Sequence, residues 1–199
     1  MLVLVHSAPV SLERDHGRHP NLGVLMCPRC VYPDAPGRWP WAADNGAYSA
    51  WSRERFVKML ERIAGWEGCL FVTAPDVVGD AKETTARFFQ WRDRMDDAGQ
   101  PIAYVGQDGL REPPWDLFQA FFVGGTTEWK MGEEAAELGR EAKRRGKWLH
   151  MGRVNTKRRM RYAQSLDCDS IDGTNFSMFR QTNLPWALAM NADGKQMAL

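Results

Sequence analysis

Eight short apolar runs recur along the 199-residue chain, and longer polar or amphipathic stretches separate them. Most of these runs are apolar at consecutive positions, which is typical of strands in a parallel sheet covered on both faces. Because parallel strands need long crossover connections, the pattern predicts an α/β fold. The predicted strands are 2–6, 23–27, 41–44, 70–74, 102–106, 120–124, 148–152 and 169–172.

Five of the intervening stretches are amphipathic and predict helices. Asp80 is expected to cap the second helix, with Glu83 reaching back to complete a capping box and Gly99 ending it. Asn155 is the predicted N-cap of the fourth helix. The predicted helices are 52–64, 80–98, 130–145, 155–166 and 184–191.

Eight strands with helices between them predict a compact (β/α)8 barrel of the TIM type, formed by a single domain over residues 1–199. A chain of 199 residues is at the lower size limit for this fold. Some helices are therefore expected to be short or missing, above all within 7–22, 28–40 and 107–119, which are short or rich in proline. An open doubly wound sheet is the alternative architecture.

Two acidic residues, Asp44 and Asp172, end predicted strands, and a third, Asp76, comes two residues after one. The carboxyl ends of parallel strands are where α/β folds bind ligands, so these side chains are expected to face one pocket. Carboxylates that are crowded together shift each other's pKa, which separates a nucleophile from a general acid. Asp44 and Asp172 are the candidate pair for such chemistry.

Further strand ends carry residues suited to a planar heterocycle. Gln107 offers both a donor and an acceptor for the edge of a base. Gly124 and Gly125 remove side chains where backbone must approach a ligand closely. The carboxylate of Asp76 can accept hydrogen bonds from ring N–H groups of a purine, and Trp129 is the tryptophan expected to contact the ligand.

Charge is distributed unevenly, although the net charge is only +1. Residues 140–161 contain ten Lys or Arg and one acidic residue, Glu141. Such a segment on an otherwise acidic chain predicts a surface that binds a polyanion. The candidate contacts to nucleic acid are Arg144, Arg145, Lys147, Arg153, Lys157, Arg158 and Arg159.

No run of 18 apolar residues exists, so no membrane partner is expected, and the first six residues are too short for a signal peptide. The four cysteines lack a disulfide-type spacing, which favours reduced thiols and a cytoplasmic location. No cofactor is expected. The alternative is a zinc ion held by His16, His19, Cys27 and Cys30, whose HxxH…CxxC pattern zinc could accept.

Four segments in the correct order resemble motifs of the tRNA-guanine transglycosylase superfamily, and in particular its DNA-acting branch, the 7-deazaguanine DNA transglycosylases. "DNGAY" (44–48) is similar to the DSGGFQ turn, and "GQDG" (106–109) to VQGG. "VGGTTEW" (123–129) is similar to GGLAVGE. The long segment 150–174 resembles MGVGxPxDLLxAVxxGVDxFDC, with "DSID" over DxFD.

The resemblance implies a role for each matching position. Asp172 corresponds to the nucleophile and Asp44 to the general acid and base. Asp76, Gln107, Gly124 and Gly125 correspond to positions that recognise the base, and Tyr48 is a candidate for stacking on it. The implied substrates are DNA and a 7-deazaguanine base such as preQ0, in a protein of phage or mobile-element origin acting in the cytoplasm of a bacterial host.

Two departures from the family pattern bear on the substrate. The CxCxxC…H zinc segment of the RNA enzymes has no counterpart in the 27 residues after Asp172, and PTRxAR becomes "TNFSMFR". These departures favour DNA over tRNA. The alternatives are exchange on tRNA, an N-glycosidase that releases a base to water, a non-catalytic nucleic-acid-binding barrel, and a barrel that acts on a small sugar phosphate.

Overall fold

A closed parallel barrel of eight strands forms the centre of the protein, as shown by a computed structural model that describes residues 1–196. Each strand pairs with its neighbour along the chain, and β1 also pairs with β8, so that the sheet has no edge. The prediction of a TIM-like (β/α)8 barrel is confirmed, and the open sheet is excluded. The strands are β1 (Leu2–Val5), β2 (Leu22–Met26), β3 (Trp41–Ala43), β4 (Cys69–Thr73), β5 (Ile102–Gly106), β6 (Ala120–Val123), β7 (Trp148–Met151) and β8 (Ser170–Asp172).

Nine α-helices within residues 1–196 surround the barrel, and several are as short as the chain length predicts. In the connection 107–119 the structure has only a 3₁₀ turn at Trp115–Leu117. The helices are α1 (Pro9–His16), α2 (Ala47–Ala50), α3 (Arg53–Ile63), α4 (Ala81–Asp97), α5 (Thr127–Lys130), α6 (Glu133–Arg144), α7 (Lys157–Ser165), α8 (Thr174–Met178) and α9 (Arg180–Gln196).

One predicted helix begins later than expected, and one connection contains a short helix, as expected. The helix predicted at 130–145 corresponds to α6 but begins later, at Glu133, because the chain is extended at Gly132; the separate short helix α5 precedes it. The connection 7–22 contains the eight-residue helix α1, which begins with Pro9, a residue whose fixed φ suits a first helical position. None of the helices within residues 1–196 combines the length and the apolar character needed to cross a bilayer.

The predicted N-cap of α4 is confirmed, and that of α7 is shifted by one residue. The side chain of Asp80 accepts a hydrogen bond from the Glu83 N–H at 2.9 Å, as predicted. Glu83 does not complete the box, because the Asp80 N–H donates to the Val77 carbonyl instead. The predicted cap of α7 was wrong by one residue, since Thr156 is the N-cap and the Asn155 side chain instead accepts from the Asn175 N–H.

The core has an inner and an outer part. The inner part fills the barrel with Leu4, Leu25, Ala42, Phe71, Ala103 and Ala120, and the outer part lies between the strands and the helices. Strand side chains alternate between the two, so inward-facing positions recur every two residues. The residues that end each inward-facing series therefore meet at the carboxyl end of the barrel.

Candidate active site

A pocket of about 170 Å³ opens at the carboxyl ends of the strands. This volume is below the roughly 300 Å³ at which pockets begin to enclose drug-sized ligands, so it suits one small heterocycle. Its lining includes the predicted positions Asp44, Asp76, Gln107, Gly124, Gly125 and Asp172, together with His6, Thr73, Tyr48 and Arg153. The structure therefore brings together six of the seven residues predicted to carry out catalysis or bind a base.

A larger hollow of about 760 Å³ lies on the outside of the barrel, between α3 and α4. Across this groove Arg94 pairs with Glu61 at 3.6 Å. It is distant from every strand end that carries an acidic residue. We therefore take the smaller pocket inside the barrel mouth as the candidate active site.

Asp172 ends β8 and points into the pocket, with its side chain 14% exposed. Its Oδ1 lies 3.0 Å from His150 Nε2 and accepts a hydrogen bond from the Arg153 N–H at 3.3 Å. Burial raises the pKa of Asp172, but the hydrogen bond from His150 and the nearby basic side chains of His6 and Lys130 outweigh burial and hold the pKa below its usual value. Asp172 is therefore an ionised carboxylate at neutral pH.

Asp44 follows β3 in the same pocket and has the opposite electrostatic character. Burial raises the pKa of Asp44 to about 7, and the negative charges of Asp172 and Asp76 add to this increase. Near neutral pH this carboxyl is divided between its protonated and ionised forms, as a group that donates and later accepts a proton requires.

Asp76 is held by two amide side chains on neighbouring strand ends. Asn45 Nδ2 donates to its Oδ1 at 2.8 Å, and Gln107 Nε2 donates to its Oδ2 at 2.5 Å. Burial nevertheless raises the pKa of Asp76, because these hydrogen bonds offset burial only in part. Each carboxylate oxygen retains a further lone pair for a ligand N–H group.

Gln107 is engaged more fully than the sequence predicts. Besides its bond to Asp76, its Oε1 accepts hydrogen bonds from the N–H groups of Gly79 and Gly125, both at 2.9 Å. All of these bonds position the Asp76 carboxylate and the glycine loop. The structure thus places Gln107 in the pocket wall as a support for Asp76, and sequence reasoning did not anticipate this arrangement.

The glycine pair after β6 is required by close packing. A Cβ atom at Gly124 would lie 2.7 Å from Val105 Cγ1 and 2.9 Å from Gln107 Nε2. Gly125 has a φ of 67°, and a side chain there would collide with the Trp129 ring. Trp129 is 8% exposed, is absent from the pocket lining and donates to Glu134. The prediction that Trp129 contacts the ligand is therefore corrected, since this ring supports the loop from behind.

Replacing Gly124 with Ala is expected to destabilise the protein by about 1–3 kcal/mol, because overpacking forces Val105 and Gln107 to move. Gly139→Ala is the matched control, since its new Cβ would lie at an ordinary 3.6 Å from Leu149 Cδ2 within α6. Alanine favours a helix interior, so the control should be neutral or stabilising. Urea unfolding of both variants measures the difference, and equal stability of the two would contradict the account of Gly124.

The predicted basic surface is divided between the two ends of the barrel. Arg144, Arg145 and Lys147 precede β7, where Arg144 and Arg145 pair with Glu141 and Lys147 donates to the Phe118 carbonyl. Arg153, Lys157, Arg158 and Arg159 follow β7 and lie at the pocket end. The prediction of a single basic surface is therefore corrected, because β7 separates the two groups by about 13 Å along the barrel. Only the second group of four residues lies beside the pocket.

Three residues around Asp172 were not predicted to belong to the site. His6 lines the pocket, and burial lowers its pKa below the usual value. His150 lies on an apolar strand, where a histidine usually belongs to the core; it is fully buried and hydrogen-bonded, but one of its partners is the candidate nucleophile. Lys130 is 2% exposed and donates to the Gly152 carbonyl, and burial lowers its pKa to about 7.

The other two acids near Asp172 in sequence, Asp167 and Asp169, do not line the pocket. Asp169 accepts hydrogen bonds from Lys143 Nζ at 2.8 Å and from the Leu149 N–H at 2.7 Å. Asp167 has an 88% exposed side chain and a φ of 54°, a conformation that Asp tolerates better than most residues.

No cluster of three or more His, Cys, Asp or Glu side chains within residues 1–196 is arranged to hold a metal ion. The four residues of the HxxH…CxxC pattern thus do not form a ligand set there. Cys27 and Cys30 face each other across a tight turn through two backbone hydrogen bonds, at 3.1 and 2.8 Å. His19 Nδ1 accepts from the Asn21 N–H at 3.1 Å.

The fold and pocket together define a class of site: a (β/α)8 barrel with acidic side chains at the carboxyl ends of its strands, two of which have opposite pKa shifts. No protein-family model matches the chain, and no curated protein matches it. The function must therefore be argued from the pocket and from the motifs that it contains.

Proposed function

We propose that this protein exchanges bases in DNA, replacing guanine with a 7-deazaguanine such as preQ0 through a covalent intermediate on Asp172. The observation that carries the proposal is the pair of carboxyl groups in one base-sized pocket, with the pKa of Asp44 raised to about 7 and that of Asp172 lowered. Two acids with opposite pKa shifts are suited to act as proton donor and nucleophile at one glycosidic bond.

In the first half-reaction, Asp172 Oδ2 attacks C1′ of a deoxyguanosine. The bond between C1′ and N9 breaks, its electron pair goes to the guanine, and the Asp44 carboxyl donates a proton to the leaving base. In the second half-reaction, the Asp44 carboxylate takes a proton from the incoming 7-deazaguanine, whose nitrogen attacks C1′ and releases Asp172. The deoxyribosyl ester between the two steps keeps the strand intact.

Base recognition in this proposal rests on groups that have spare hydrogen-bonding capacity. The Asp76 carboxylate can accept from the N1–H and amino group of guanine. Thr73 Oγ1 is buried and lines the pocket, and it has no hydrogen-bond partner within residues 1–196. Such an orphaned hydroxyl is costly without a ligand, so it favours a polar heterocycle at this position.

Pocket size limits how DNA can bind. A volume of about 170 Å³ accommodates the base, while the sugar and phosphates stay at the mouth. A base within a duplex cannot reach such a pocket, so the target nucleotide must be flipped or single-stranded. Tyr48 is 68% exposed at the mouth, and the Arg153 guanidinium lies 4.6 Å from the centre of its ring. An exposed aromatic ring and a guanidinium also suit stacking of a base.

The first turn of α7 supports a polyanionic substrate. It consists of Lys157, Arg158 and Arg159, although cations are unfavourable near the positive end of a helix dipole. Lys157 and Arg158 are exposed, and they face the same end of the barrel as the pocket. Cations at an unfavourable helix position are well placed to bind phosphates, which are favourable there.

The double variant Lys157→Ala/Arg158→Ala is expected to weaken DNA binding and to reduce the slope of log K against log salt by roughly 2, about one for each cation that no longer neutralises a phosphate. Arg144→Ala/Arg145→Ala is the matched control, because it removes the same charge from the opposite end of the barrel. Fluorescence anisotropy over a series of salt concentrations measures both slopes. A control as impaired as the test variant would argue against binding at the mouth.

Base exchange itself is tested by incubating the protein with radiolabelled guanine or preQ0 and with single-stranded DNA, duplex DNA or tRNA. We expect label in DNA and little in tRNA. Label in tRNA alone would assign the site to the RNA enzymes. Release of guanine without incorporation would indicate an N-glycosidase. DNA binding without either reaction would indicate a binding protein, and the absence of any DNA binding would indicate a small sugar phosphate as ligand.

A further inference from the structure

A series of hydrogen-bonded polar side chains crosses the otherwise apolar interior of the barrel and ends at Asp172. Trp148 Nε1 donates to Ser170 Oγ at 2.8 Å, and Ser170 Oγ lies 2.8 Å from His150 Nδ1. His150 Nε2 lies 3.0 Å from Asp172 Oδ1. These four residues alternate between β7 and β8 at inward-facing positions, with His150 directly opposite Ser170 in the strand register.

The chemistry of the donors fixes where each hydrogen lies. An indole N–H can only donate, so Ser170 Oγ must accept from Trp148. No other partner of Ser170 Oγ is found within residues 1–196, so its own hydrogen is satisfied only by donating to His150 Nδ1. A nitrogen that accepts carries no hydrogen, and the hydrogen of the neutral imidazole is therefore on Nε2, directed at Asp172.

Other protonation states leave a buried group unsatisfied. If His150 carried its hydrogen on Nδ1, the lone pair of Nε2 would face the Asp172 carboxylate. If His150 were doubly protonated, the Ser170 hydrogen would lose its acceptor in a fully buried position. Phe71 and Phe122 contact the imidazole at ring distances of 5.0 and 4.5 Å, so the ring is surrounded by apolar groups that disfavour a charge.

We propose that His150 is the positioning residue of Asp172, and that Ser170 and Trp148 lock it in the Nε2–H tautomer. A neutral donor orients the carboxylate and stabilises its negative charge without cancelling it, whereas an imidazolium would form an ion pair with the nucleophile. Oδ1 is occupied by His150 and the Arg153 N–H, which leaves Oδ2 for attack. The catalytic part of this inference rests on the proposed function, but the tautomer and its effect on Asp172 do not.

Several other charged groups face Asp172 and stay constant in the test variants. His6 approaches from the end of β1, Asp44 from the end of β3, Lys130 from α5 and Arg153 from the loop after β7. Asp76 and Gln107 lie across the pocket. Variants of His150 and Ser170 leave all of these residues in place, so a change at Asp172 reports the loss of the hydrogen-bonded chain.

Nuclear magnetic resonance tests the inference without an activity assay. In protein with ¹⁵N-labelled histidine we expect His150 to carry hydrogen on Nε2 only, without titrating between about pH 5 and 8. In protein with ¹³C-labelled aspartate, the titration midpoint of Asp172 should rise by about one pH unit or more in His150→Leu, because the main hydrogen bond that opposes the effect of burial is then lost. His150→Gln keeps a donor near the Nε2 position and should leave the midpoint close to that of the wild type.

Ser170→Ala is the milder variant and remains informative if His150→Leu does not fold. It should release His150 from the single tautomer and raise the Asp172 midpoint. Phe71→Leu is the matched control, because Phe71 packs on the His150 ring but offers no hydrogen bond. This control should leave both the tautomer and the midpoint unchanged.

Steady-state exchange assays add the catalytic readout. His150→Leu should lower kcat with little change in KM and should move the acidic limb of the pH profile upward, while His150→Gln restores both. A wild-type His150 with hydrogen on Nδ1, or an Asp172 midpoint equal in His150→Leu and wild type, overturns the inference even if exchange occurs. The expected resonances in a protein that exchanges no base would support the inference and reject the proposed function.

Discussion

Replacing Asp172 with Asn is expected to reduce base exchange by at least about ten-thousandfold, because an amide cannot form the ester to C1′ that the reaction requires. Asn has nearly the same shape, and its Oδ1 can still accept from His150 Nε2, so the barrel should fold normally. When the wild type is incubated with DNA but without an incoming base, it should form a covalent complex that survives a denaturing gel. The same variant should form no such complex.

Asp167→Asn is the matched control for this variant. Asp167 is exposed beyond the opposite end of β8 and has a φ of 54°, a conformation that Asn adopts readily. The control should retain full exchange and full adduct formation. Exchange by Asp172→Asn within tenfold of the wild type, or an adduct that persists, would remove Asp172 from its role as nucleophile.

The second large effect is expected at Asp44, where replacement with Asn should reduce guanine release by about 10²–10⁴-fold, the usual contribution of a general acid. The raised pKa gives the sign of the pH dependence. Asp44 donates a proton only while protonated, so in the wild type the rate of guanine release should fall as pH rises above about 7. Asp44→Asn should lack this decline, because an amide does not titrate.

A leaving group that needs no proton distinguishes the role of Asp44 as proton donor from the role of Asp172 as nucleophile. N7-methylated guanine departs as a neutral base, so DNA that contains it should restore much of the release rate in Asp44→Asn and none in Asp172→Asn. Single-turnover release of the labelled base across a pH series measures both effects. An unchanged decline with pH in Asp44→Asn would show that another group, such as His6, supplies the proton.

Much of the barrel was predictable because its strands are apolar on both faces. The runs 2–6 and 148–152 correspond to β1 (Leu2–Val5) and β7 (Trp148–Met151), and all eight strands have the predicted order. Helix ends were less predictable. Asn155 and Thr156 are both good capping residues, and a tertiary hydrogen bond from the Asn175 N–H to Asn155 leaves the cap to Thr156.

The acids of the site were predictable because position alone selects them: Asp44, Asp76 and Asp172 all lie at or just after the carboxyl ends of strands. His6 and His150 were missed, because a histidine in an apolar strand usually belongs to the core. The alternation of side chains along a strand could have revealed His150. It belongs to the inward-facing series of β7, two positions before Gly152, and Ser170 belongs to that of β8, two positions before Asp172. The basic segment was misread as one surface because its charge was counted over the whole of 140–161, although the strand predicted at 148–152 divides it.

The three acids gathered at the barrel mouth also bear on how such a chain diverges over evolutionary time. Asp44 has a folded-state pKa of about 7 against an intrinsic 3.8, so the stability that its protonated form provides is complete below pH 3.8 and is lost as pH rises through 7. Selection for folding alone would therefore favour a neutral side chain at this position. Descendants released from the proposed chemistry should drift to amides or hydroxyls here while retaining the barrel, and lineages that keep all three acids should be those in which the proposed reaction is under selection.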